Sequence, residues 1–253
     1  MQLITITGGQ TLHGRIRPAA AKNSVLPLLA ATLLCRTPSR LRAVPPLADV
    51  ATSLALLQSV GAKAERQGSD LFVAPGQDLQ GEIPDYLAGA MRSSVFYLAP
   101  LLCRVGEVRL PLPGGCKLGP RPVDIHLAGL AAMGAQVELE GIAVTLRRRG
   151  PLHGVDFALR LPSVGATMTL MMAATQAGGT TILRGAACEP EICDLANFLR
   201  ACGAHITGAG TPVVVIQGGK PLQGTAWTPL PDRIAAATYA AAPACARGAV
   251  TDT

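Results

Sequence analysis

A segment that occurs three times is the strongest constraint on the fold of this chain. The copies begin at Leu56, Leu130 and Leu199, and they read LLQSVGAKAERQGSDLFVAPG, LAAMGAQVELEGIAVTLRRRG and LRACGAHITGAGTPVVVIQGG. Each copy has the apolar end of a helix, a Gly-Ala pair and two short alternating runs that are typical of strands. Repetition at a fixed period indicates that the chain is built from equivalent units.

The Gly-Ala pairs and the segments before them define the unit. Gly61, Gly134 and Gly203 are each placed to end a helix in the left-handed region of backbone space. Upstream of each helix lies another Ala- and Leu-rich helix with a short strand after it: VLPLLAATLL with RLRAV, SSVFYLAPLL with EVRLPL, and TMTLMMAAT with TTILRG. The sequence therefore predicts an α+β fold, a pseudo-threefold repeat of αβαββ units that are each roughly 70 residues long.

A fourth unit begins near the end of the chain. Residues 232–245 are predicted to form its first helix and residues 248–251 its first strand, with no second helix or hairpin after them. Half a unit cannot bury its own apolar face. We therefore predict that residues 22–229 form one complete domain and that residues 1–21 and 230–253 are the incomplete portion of a second. We expect the half unit at residues 230–253 to be poorly ordered in solution.

The middle unit carries an insertion with a cysteine in it. The leucine of the first strand lies 20 residues before the capping glycine in the first and third units, but 24 before it in the second, from Leu110 to Gly134. The extra residues fall in the loop PGGCKLGPRP, where Cys116 stands near Lys117 and Arg121. Two cations near a thiol lower its pKa. Because an insertion in a single repeat is often functional, we interpret Cys116 as a reactive residue rather than an incidental one.

The other cysteines are interpreted as structural. Cys35, Cys103 and Cys245 occupy the same position of their units, which predicts small core residues at a helix end. The rest lack the paired CxxC spacing of a zinc site, so we predict no metal. The chain has seven cysteines, an odd number, and no recognisable secretory signal, so we expect a reducing cytoplasm.

Composition disfavours two further classes of function. Aromatic residues make up 3% of the chain, too few for the stacking platforms of single-stranded nucleic-acid binders. The formal net charge of +6 is scattered, and it suits a small anionic substrate as well as it suits any larger partner. The longest helical apolar run, residues 24–34, is about half the length needed to cross a bilayer. We therefore expect no nucleic-acid partner and no membrane association.

Polar residues recur where each unit's first helix begins. Lys22-Asn23, Arg92 and Ser163-Val164-Gly165 stand at the same topological point of the three units. Ser163 is a plausible helix N-cap, and Gly165 allows a close approach to the backbone. Because pseudo-symmetric units bring equivalent helix ends together, the sequence predicts an anion cradle assembled from three copies.

Acidic residues recur near the start of the second helices. Asp49, Asp124 and Asp194 stand there, and helix capping would explain all three. Glu191, just after Pro190 and part of the third unit's acidic turn, is expected to be an ordinary helix-start acid. We interpret His126 as a helix-face residue rather than a general base.

Six short motifs carry a resemblance to a known family. In this order and spacing, the chain resembles the UDP-N-acetylglucosamine enolpyruvyl transferases through AKN at 21–23, MRSS at 91–94, PGGCKLGPRPVD at 113–124, PSVGAT at 162–167, EPEI at 189–192 and PDRI at 231–234. The resemblance implies an enolpyruvyl transferase-like α/β prism with substrates bound between two domains. It implies transfer of the enolpyruvyl group of phosphoenolpyruvate to the 3'-hydroxyl of UDP-N-acetylglucosamine with release of phosphate, the first committed step of peptidoglycan synthesis.

The resemblance also assigns roles to residues. Cys116 would donate a proton to C3 of phosphoenolpyruvate and form a covalent adduct, and fosfomycin alkylates the equivalent thiol in the family. Lys22 and Asn23 would bind phosphoenolpyruvate. Residues expected to contact the nucleotide sugar, with Arg121 also near the phosphate, are Arg92, Arg121, Pro122, Val123, Asp124, Ile125, Ser163, Val164 and Gly165. No cofactor is implied.

Departures from the family pattern leave alternatives open. Ala19 and Ala20 replace the usual Ser-Gly before AKN, and Ala235 replaces a polar residue after PDRI. The family's general base and further arginines belong to the second domain, so we expect the 253 residues alone to be inactive. One alternative is a 3-phosphoshikimate 1-carboxyvinyltransferase, which the cysteine loop disfavours. Another is an inactive nucleotide-sugar-binding module, and the oligomeric state is left open.

Overall fold

The structure, a computed structural model, describes residues 3–5, 7–111 and 123–252. The first unit follows a short strand β1 (His13–Ile16) and consists of α1 (Lys22–Ala31) with a 3-10 turn Thr32–Leu34, β2 (Ser39–Leu41), α2 (Ala48–Ser59), β3 (Lys63–Gln67) and β4 (Asp70–Ala74). The second unit consists of α3 (Asp85–Ala90), a 3-10 helix Arg92–Tyr97, α4 (Leu98–Val105), β5 (Glu107–Pro111), α5 (Asp124–Ala132), β6 (Gln136–Glu140) and β7 (Ala143–Arg147).

The rest of the described chain repeats this order. The third unit consists of β8 (Asp156–Ala158), α6 (Val164–Gln176), β9 (Thr180–Arg184), α7 (Pro190–Ala201), β10 (His205–Thr207) and β11 (Val213–Gln217). After it come β12 (Ala226–Trp227), α8 (Arg233–Ala246) and β13 (Ala249–Asp252). The predicted order of helix, strand, helix, strand, strand is confirmed in all three units.

One predicted helix differs in its winding. The run SSVFYLAPLL was expected to be a single helix, but its first part forms the 3-10 helix Arg92–Tyr97, and regular α-helix begins at Leu98. Pro100 then lies in the first turn of α4, where a missing N–H has no intrahelical partner to lose. A proline is therefore tolerated at this point of the chain.

The three sheets share one strand order. In each, the first strand of the unit pairs antiparallel with the last strand, and the last strand pairs antiparallel with the middle one: β2-β4-β3, β5-β7-β6 and β9-β11-β10. On the other side of each first strand lies a parallel segment, namely β12 beside β2, β8 beside β9, and a bridge from Glu82 to Arg109 of β5. The pseudo-threefold α+β prediction is confirmed by this repetition.

The parallel segments close the three units into a ring. Each lies after the hairpin of one unit and pairs with the sheet of the next, and the segment after the third hairpin returns to the first sheet. The backbone bonds are equivalent and lie between 2.7 and 2.9 Å: Arg109 N to Gly81 O, Ile182 N to Val155 O, and Arg40 N to Thr225 O. No unit therefore has an unpaired edge beside its first strand within the described residues.

The first helices fill the centre of the ring. Residues 24–31 of α1 and 166–175 of α6 are buried on all sides, and α4 packs between α6 and the first unit. Helices buried all round need no polar face, which explains why these segments carry no charged residue and only a few small hydroxyl side chains. The three capping glycines Gly61, Gly134 and Gly203 have φ of +93°, +105° and +109°, so the predicted left-handed helix ends are confirmed.

The predicted capping roles of the aspartates are not observed. The cap positions of α2 and α5 belong to Leu47 and Val123, with Asp49 and Asp124 one or two residues inside the first turn. Asp194 is the fifth residue of α7 and is only 5% exposed. The capping interpretation is therefore wrong, because other residues occupy the cap positions of α2 and α5 and Asp194 lies inside α7.

Asp194 instead joins three parts of the ring. It accepts hydrogen bonds from the Ser24 hydroxyl of α1, from Nε1 of Trp227 at 2.9 Å and from the backbone N–H of Leu230 at 3.3 Å. A carboxylate is buried at low cost only when donors surround it. The third unit thus holds the first helix and the returning strand together through one side chain.

The cysteines follow the packing of their units. Cys35 is buried with its Sγ 3.7 Å from that of Cys202, and burial raises the pKa of Cys103 to about 12. Cys245 was also expected in a core but is exposed, because α8 buries only Pro243. The core prediction is confirmed for Cys35, whereas Cys103 is only partly buried and packs against the core, and for Cys245 the prediction is wrong.

The fourth, partial unit has the predicted elements. Helix α8 leads into β13, which pairs in parallel with β1 as a two-stranded sheet. Its poor order in solution stays a prediction, as does the division of the chain into residues 22–229 and the two flanking portions.

A glycine at the ring closure gives a test of this architecture. A Cβ on Gly224 would collide with the carbonyl oxygens of Thr37 and Pro38, and Gly81 and Gly154 make the equivalent approaches to the next unit's strand. We expect Gly224→Ala to lower the free energy of unfolding by about 2 kcal/mol or more, measured by chemical denaturation.

The matched control is Gly150→Ala, whose added methyl would meet no atom within 4 Å. We expect this variant to stay within about 0.5 kcal/mol of wild type. Equal stability of the two variants would mean that the ring does not close where the structure places its closure.

Candidate functional site

The starts of the three central helices open onto one cavity of about 390 Å³. This cavity brings together six of the residues singled out in the sequence, namely Lys22, Asn23, Arg92, Ser163, Val164 and Gly165. Its other polar lining residues are Asp49, Ser93, His126, Glu189, Glu191 and Arg233. The convergence expected from pseudo-symmetry is therefore present in the structure.

Lys22 enters the cavity from the first residue of α1. Its Nζ lies 2.9 Å from Oδ2 of Asp49, which stands in the first turn of α2, and both side chains are partly exposed. The ion pair holds the ammonium group beside the helix starts, although Asp49 had been expected only to cap its helix. An anionic ligand would compete with this carboxylate for the ammonium group.

The start of α6 is built by its predicted cap. Oγ of Ser163 accepts from the backbone N–H of Ala166 at 3.3 Å, which confirms the N-cap. Val164 and Gly165 follow in the first turn, where backbone N–H groups have no intrahelical acceptor. A Cβ at position 165 would lie 2.9 Å from Nε2 of His126, so a larger residue there would have to displace the imidazole. The turn has the properties of an anion-binding helix start.

His126 lines the cavity with a buried side chain. It is 3% exposed, and neither ring nitrogen has a hydrogen-bond partner among the described residues. Burial, followed by the positive charge of Arg92, lowers its pKa to about 4, so the ring is neutral at pH 7. The helix-face interpretation is correct for its position on α5, but no sequence pattern predicted that the ring faces a cavity.

The end of the middle unit's loop lies beside the cavity residues rather than among them. Val123 is the cap of α5, Asp124 its first residue and Ile125 is buried, and none of the three lines the cavity. Nη2 of Arg160 lies 2.6 Å from the Asp124 carboxylate, and this hydrogen bond lowers the pKa of Asp124. Arg160, which the sequence analysis did not single out, therefore ties the start of α5 to the segment before α6.

Three candidate residues lie outside the described part of the chain. Cys116, Arg121 and Pro122 belong to the segment between Pro111, where β5 ends, and Val123. Their roles stay predictions from the sequence.

The sequence analysis missed the site's second ion pair. Glu191 is 3% exposed, and Nε of Arg233 lies 3.0 Å from its Oε1. Both residues belong to motifs that carried the resemblance, EPEI and PDRI, but Glu191 had been interpreted only as a helix-start acid and Arg233 had been given no role. The two motifs were therefore the feature of the sequence that could have indicated this ion pair.

Other features of the described residues do not compete with this site. A groove of about 570 Å³ beside β3 and β4 contains none of the candidate residues. No three or more of the described His, Cys, Asp and Glu side chains are grouped to hold a metal ion. Among the helices described, none has both the length and the apolar character needed to cross a membrane.

Comparisons of sequence place these observations among known proteins. A family model described as EPSP synthase (3-phosphoshikimate 1-carboxyvinyltransferase) matches residues 6–252. The UDP-N-acetylglucosamine 1-carboxyvinyltransferase of Cellvibrio japonicus is 45% identical over 251 residues, which cover 99% of this chain and 60% of that protein. The protein of the same name from Oleidesulfovibrio alaskensis is 47% identical over 248 residues, 98% of this chain and 59% of that protein. The chain thus spans about 60% of the length of these curated relatives.

Solved structures share the fold. The enolpyruvyl transferase NikO from Streptomyces tendae superposes with a TM-score of 0.80 at 25% identity, over 92% of this chain and 55% of that one. The EPSP synthase of Acinetobacter baumannii superposes with a TM-score of 0.73 at 18% identity, over 92% and 53%. The predicted enolpyruvyl transferase-like architecture is confirmed.

The buried histidine gives a prediction about pH. Its pKa is about 4 in the folded chain and ordinarily 6.5, so the unfolded chain binds the additional proton between these values. This group therefore makes the free energy of unfolding fall as the pH decreases from 6.5 to 4, by about 3 kcal/mol in total. We expect His126→Phe to remove most of that fall, measured by urea denaturation at several pH values.

The matched control is His13→Phe, at an exposed position of β1. It should keep the wild-type dependence on pH. An unchanged dependence in the His126 variant would contradict the buried neutral histidine.

Proposed function

The chain belongs to the EPSP synthase (3-phosphoshikimate 1-carboxyvinyltransferase) family, and from that premise we propose that it serves enolpyruvyl transfer to UDP-N-acetylglucosamine. Phosphoenolpyruvate is the proposed donor, the 3'-hydroxyl of the sugar is the acceptor, and phosphate is released. The observation that carries this proposal is the convergence of Lys22, Arg92 and the first turn of α6 on one cavity. The proposed setting is peptidoglycan synthesis in the cytoplasm.

The charges of the cavity suit these substrates. Phosphoenolpyruvate carries a phosphate and a carboxylate, and the nucleotide sugar carries a diphosphate. Lys22, Arg92 and Arg233 supply cationic donors, and the α6 start supplies backbone N–H groups that favour anions. The carboxylates of Asp49, Glu189 and Glu191 on the same lining offset part of this positive charge. His126 adds no charge at pH 7, so the electrostatic preference comes from the side chains and the helix start.

The proposed reaction proceeds by addition and elimination. The Cys116 thiol donates a proton to C3 of phosphoenolpyruvate while the sugar hydroxyl, losing its proton to a base, attacks C2 to form a tetrahedral ketal. The ketal then loses phosphate from C2 and a proton from C3, which restores the vinyl group on the new ether. Cations near a thiol favour its ionised form, and Lys117 and Arg121 stand near Cys116 in sequence, which supports this thiol as the proton donor. Lys22 and Arg121 are the proposed partners of the leaving phosphate.

The choice of acceptor rests on the relatives and on the loop. The curated relatives with 45% and 47% identity are named for UDP-N-acetylglucosamine, whereas the family model takes its name from 3-phosphoshikimate. The loop sequence PGGC at residues 113–116 favours the first of these, because the resemblance assigns the proton donation in that reaction to a loop cysteine. The general base is not assigned to any residue of this chain.

Binding of the nucleotide sugar tests the proposal directly. We expect a polypeptide of these 253 residues to bind UDP-N-acetylglucosamine weakly, and not 3-phosphoshikimate, in isothermal titration calorimetry. Arg92→Gln should weaken binding about tenfold, because a hydrogen bond to a charged group is lost. The control Arg40→Gln, which removes an arginine paired with Asp70 away from the cavity, should bind as wild type.

Turnover is measured with the same material as phosphate release from phosphoenolpyruvate. Since the chain spans about 60% of its relatives' length, we expect no release by these residues alone. Binding of 3-phosphoshikimate in place of the nucleotide sugar would contradict the proposed acceptor. Turnover near that of the Cellvibrio japonicus relative would contradict the expected inactivity.

Substitutions of Cys116 test the proton donor. They are made in a chimaera that joins this chain to the part of the Cellvibrio japonicus relative that it does not cover. We expect Cys116→Asp to keep activity, because a carboxylic acid can donate the proton, and to lose alkylation by fosfomycin, followed by mass spectrometry. Cys116→Ser should be nearly inactive, because a hydroxyl is too weak an acid. A serine variant as active as the wild-type chimaera would exclude the thiol from the mechanism.

A further inference from the structure

The arginine of the PDRI motif is held at the cavity by the geometry of α8. Arg233 is the first residue of this helix, directly after its cap Asp232. Oδ1 of Asp232 accepts from the backbone N–H groups of Ile234 at 2.8 Å and Ala235 at 3.1 Å. The backbone N–H of Asp232 donates to the carbonyl of Ala19 at 2.8 Å. The backbone at Arg233 is thus fixed from both sides, although α8 buries little apolar surface.

A buried carboxylate then fixes the side chain. Nε of Arg233 donates to Oε1 of Glu191 at 3.0 Å and approaches Oε2 at 3.3 Å. Glu191 is 3% exposed, so losing this partner would leave a charge buried without compensation. The contact also raises the pKa of Arg233, which keeps the guanidinium charged.

The outer edge of the guanidinium is left for another group. Arg233 contacts Glu191 through Nε alone. Its two Nη groups have no acceptor among the described residues. Arg233 is about half exposed and lines the same cavity as Lys22 and Arg92. A planar guanidinium held at one edge presents its remaining donors as a fork that matches the oxygens of a phosphate or a carboxylate.

We propose that Arg233, positioned by Glu191, is an anion-binding residue of the cavity and takes a phosphate or carboxylate group of the ligand. The inference rests on the proposed function for the identity of the ligand. Both proposed substrates carry suitable anions, namely the diphosphate of the nucleotide sugar and the phosphate or carboxylate of phosphoenolpyruvate. The fourth, partial unit thereby contributes to a site whose other cations come from the first two units.

The test neutralises the ion pair without changing net charge. In Glu191→Gln/Arg233→Gln one positive and one negative charge are removed together, so a loss of affinity reports the direct contact and not the overall field. The matched control is Asp156→Asn/Arg184→Gln, which neutralises an exposed pair outside the cavity with the same Nε contact at 2.8 Å. Isothermal titration calorimetry on the 253-residue chain uses UDP-N-acetylglucosamine, phosphoenolpyruvate and inorganic phosphate as separate probes.

We expect the cavity variant to lose about tenfold in affinity for at least one probe and the control to stay within about twofold. The probe that loses affinity identifies the anion. Arg233→Lys, which keeps the charge but not the fork and leaves Glu191 paired, should lose severalfold for the same probe. If circular dichroism shows that the double variant is unfolded, Arg233→Lys alone tests the inference.

Wild-type affinity of these variants for all three probes would overturn the inference and leave the proposed function standing if the nucleotide sugar still binds. The experiment also distinguishes the opposite case, in which the anion-binding role stands and the proposed function fails. Arg233-dependent binding of phosphate, without any binding of the two proposed substrates, would support the anion-binding role and contradict the proposed function. A wild-type chain that binds none of the probes would overturn the anion site itself.

Discussion

The carboxylate of Asp194 holds the ring of three units closed at the point where the chain returns to its start. It is buried, and its donors come from α1, from Trp227 of β12 and from Leu230 in the connection between β12 and α8. A buried charge of this kind is stable only when all its donors are in place, so the three segments must assemble together. Ser24, one of the donors, lies two residues after Lys22. The contact that closes the ring therefore also fixes the helix start that points into the cavity.

Ring closure explains where the site is. In each unit, the segment after the hairpin pairs in parallel with the sheet of the next unit. This arrangement places the three first helices at the centre, and the starts of those helices meet at one end. The backbone repeats closely, but the side chains at the equivalent point differ: a lysine and an asparagine, an arginine, and a serine-capped turn. The symmetry of the fold thus builds the cavity, and the loss of symmetry in the side chains gives it a chemical preference.

Each described ion pair in the cavity joins a cation to a carboxylate of a neighbouring element. Lys22 pairs with Asp49 and Arg233 pairs with Glu191, while His126 stays neutral because it is buried next to Arg92. Pairing keeps the side chains in place without a ligand, since unpaired like charges would repel one another in a small space.

The sequence by itself determined the order of elements, the helix ends and the family. Repeated Gly-Ala pairs, apolar helices and alternating runs are local patterns, and local patterns can be seen in one dimension. Tertiary structure decided what each polar residue contacts. Asp194 was interpreted as a helix cap, but it is buried and accepts hydrogen bonds from three segments. Glu191 and Arg233 are 42 residues apart in sequence, yet they form one ion pair. These contacts depend on ring closure, which brings distant segments together in a way that no local pattern encodes.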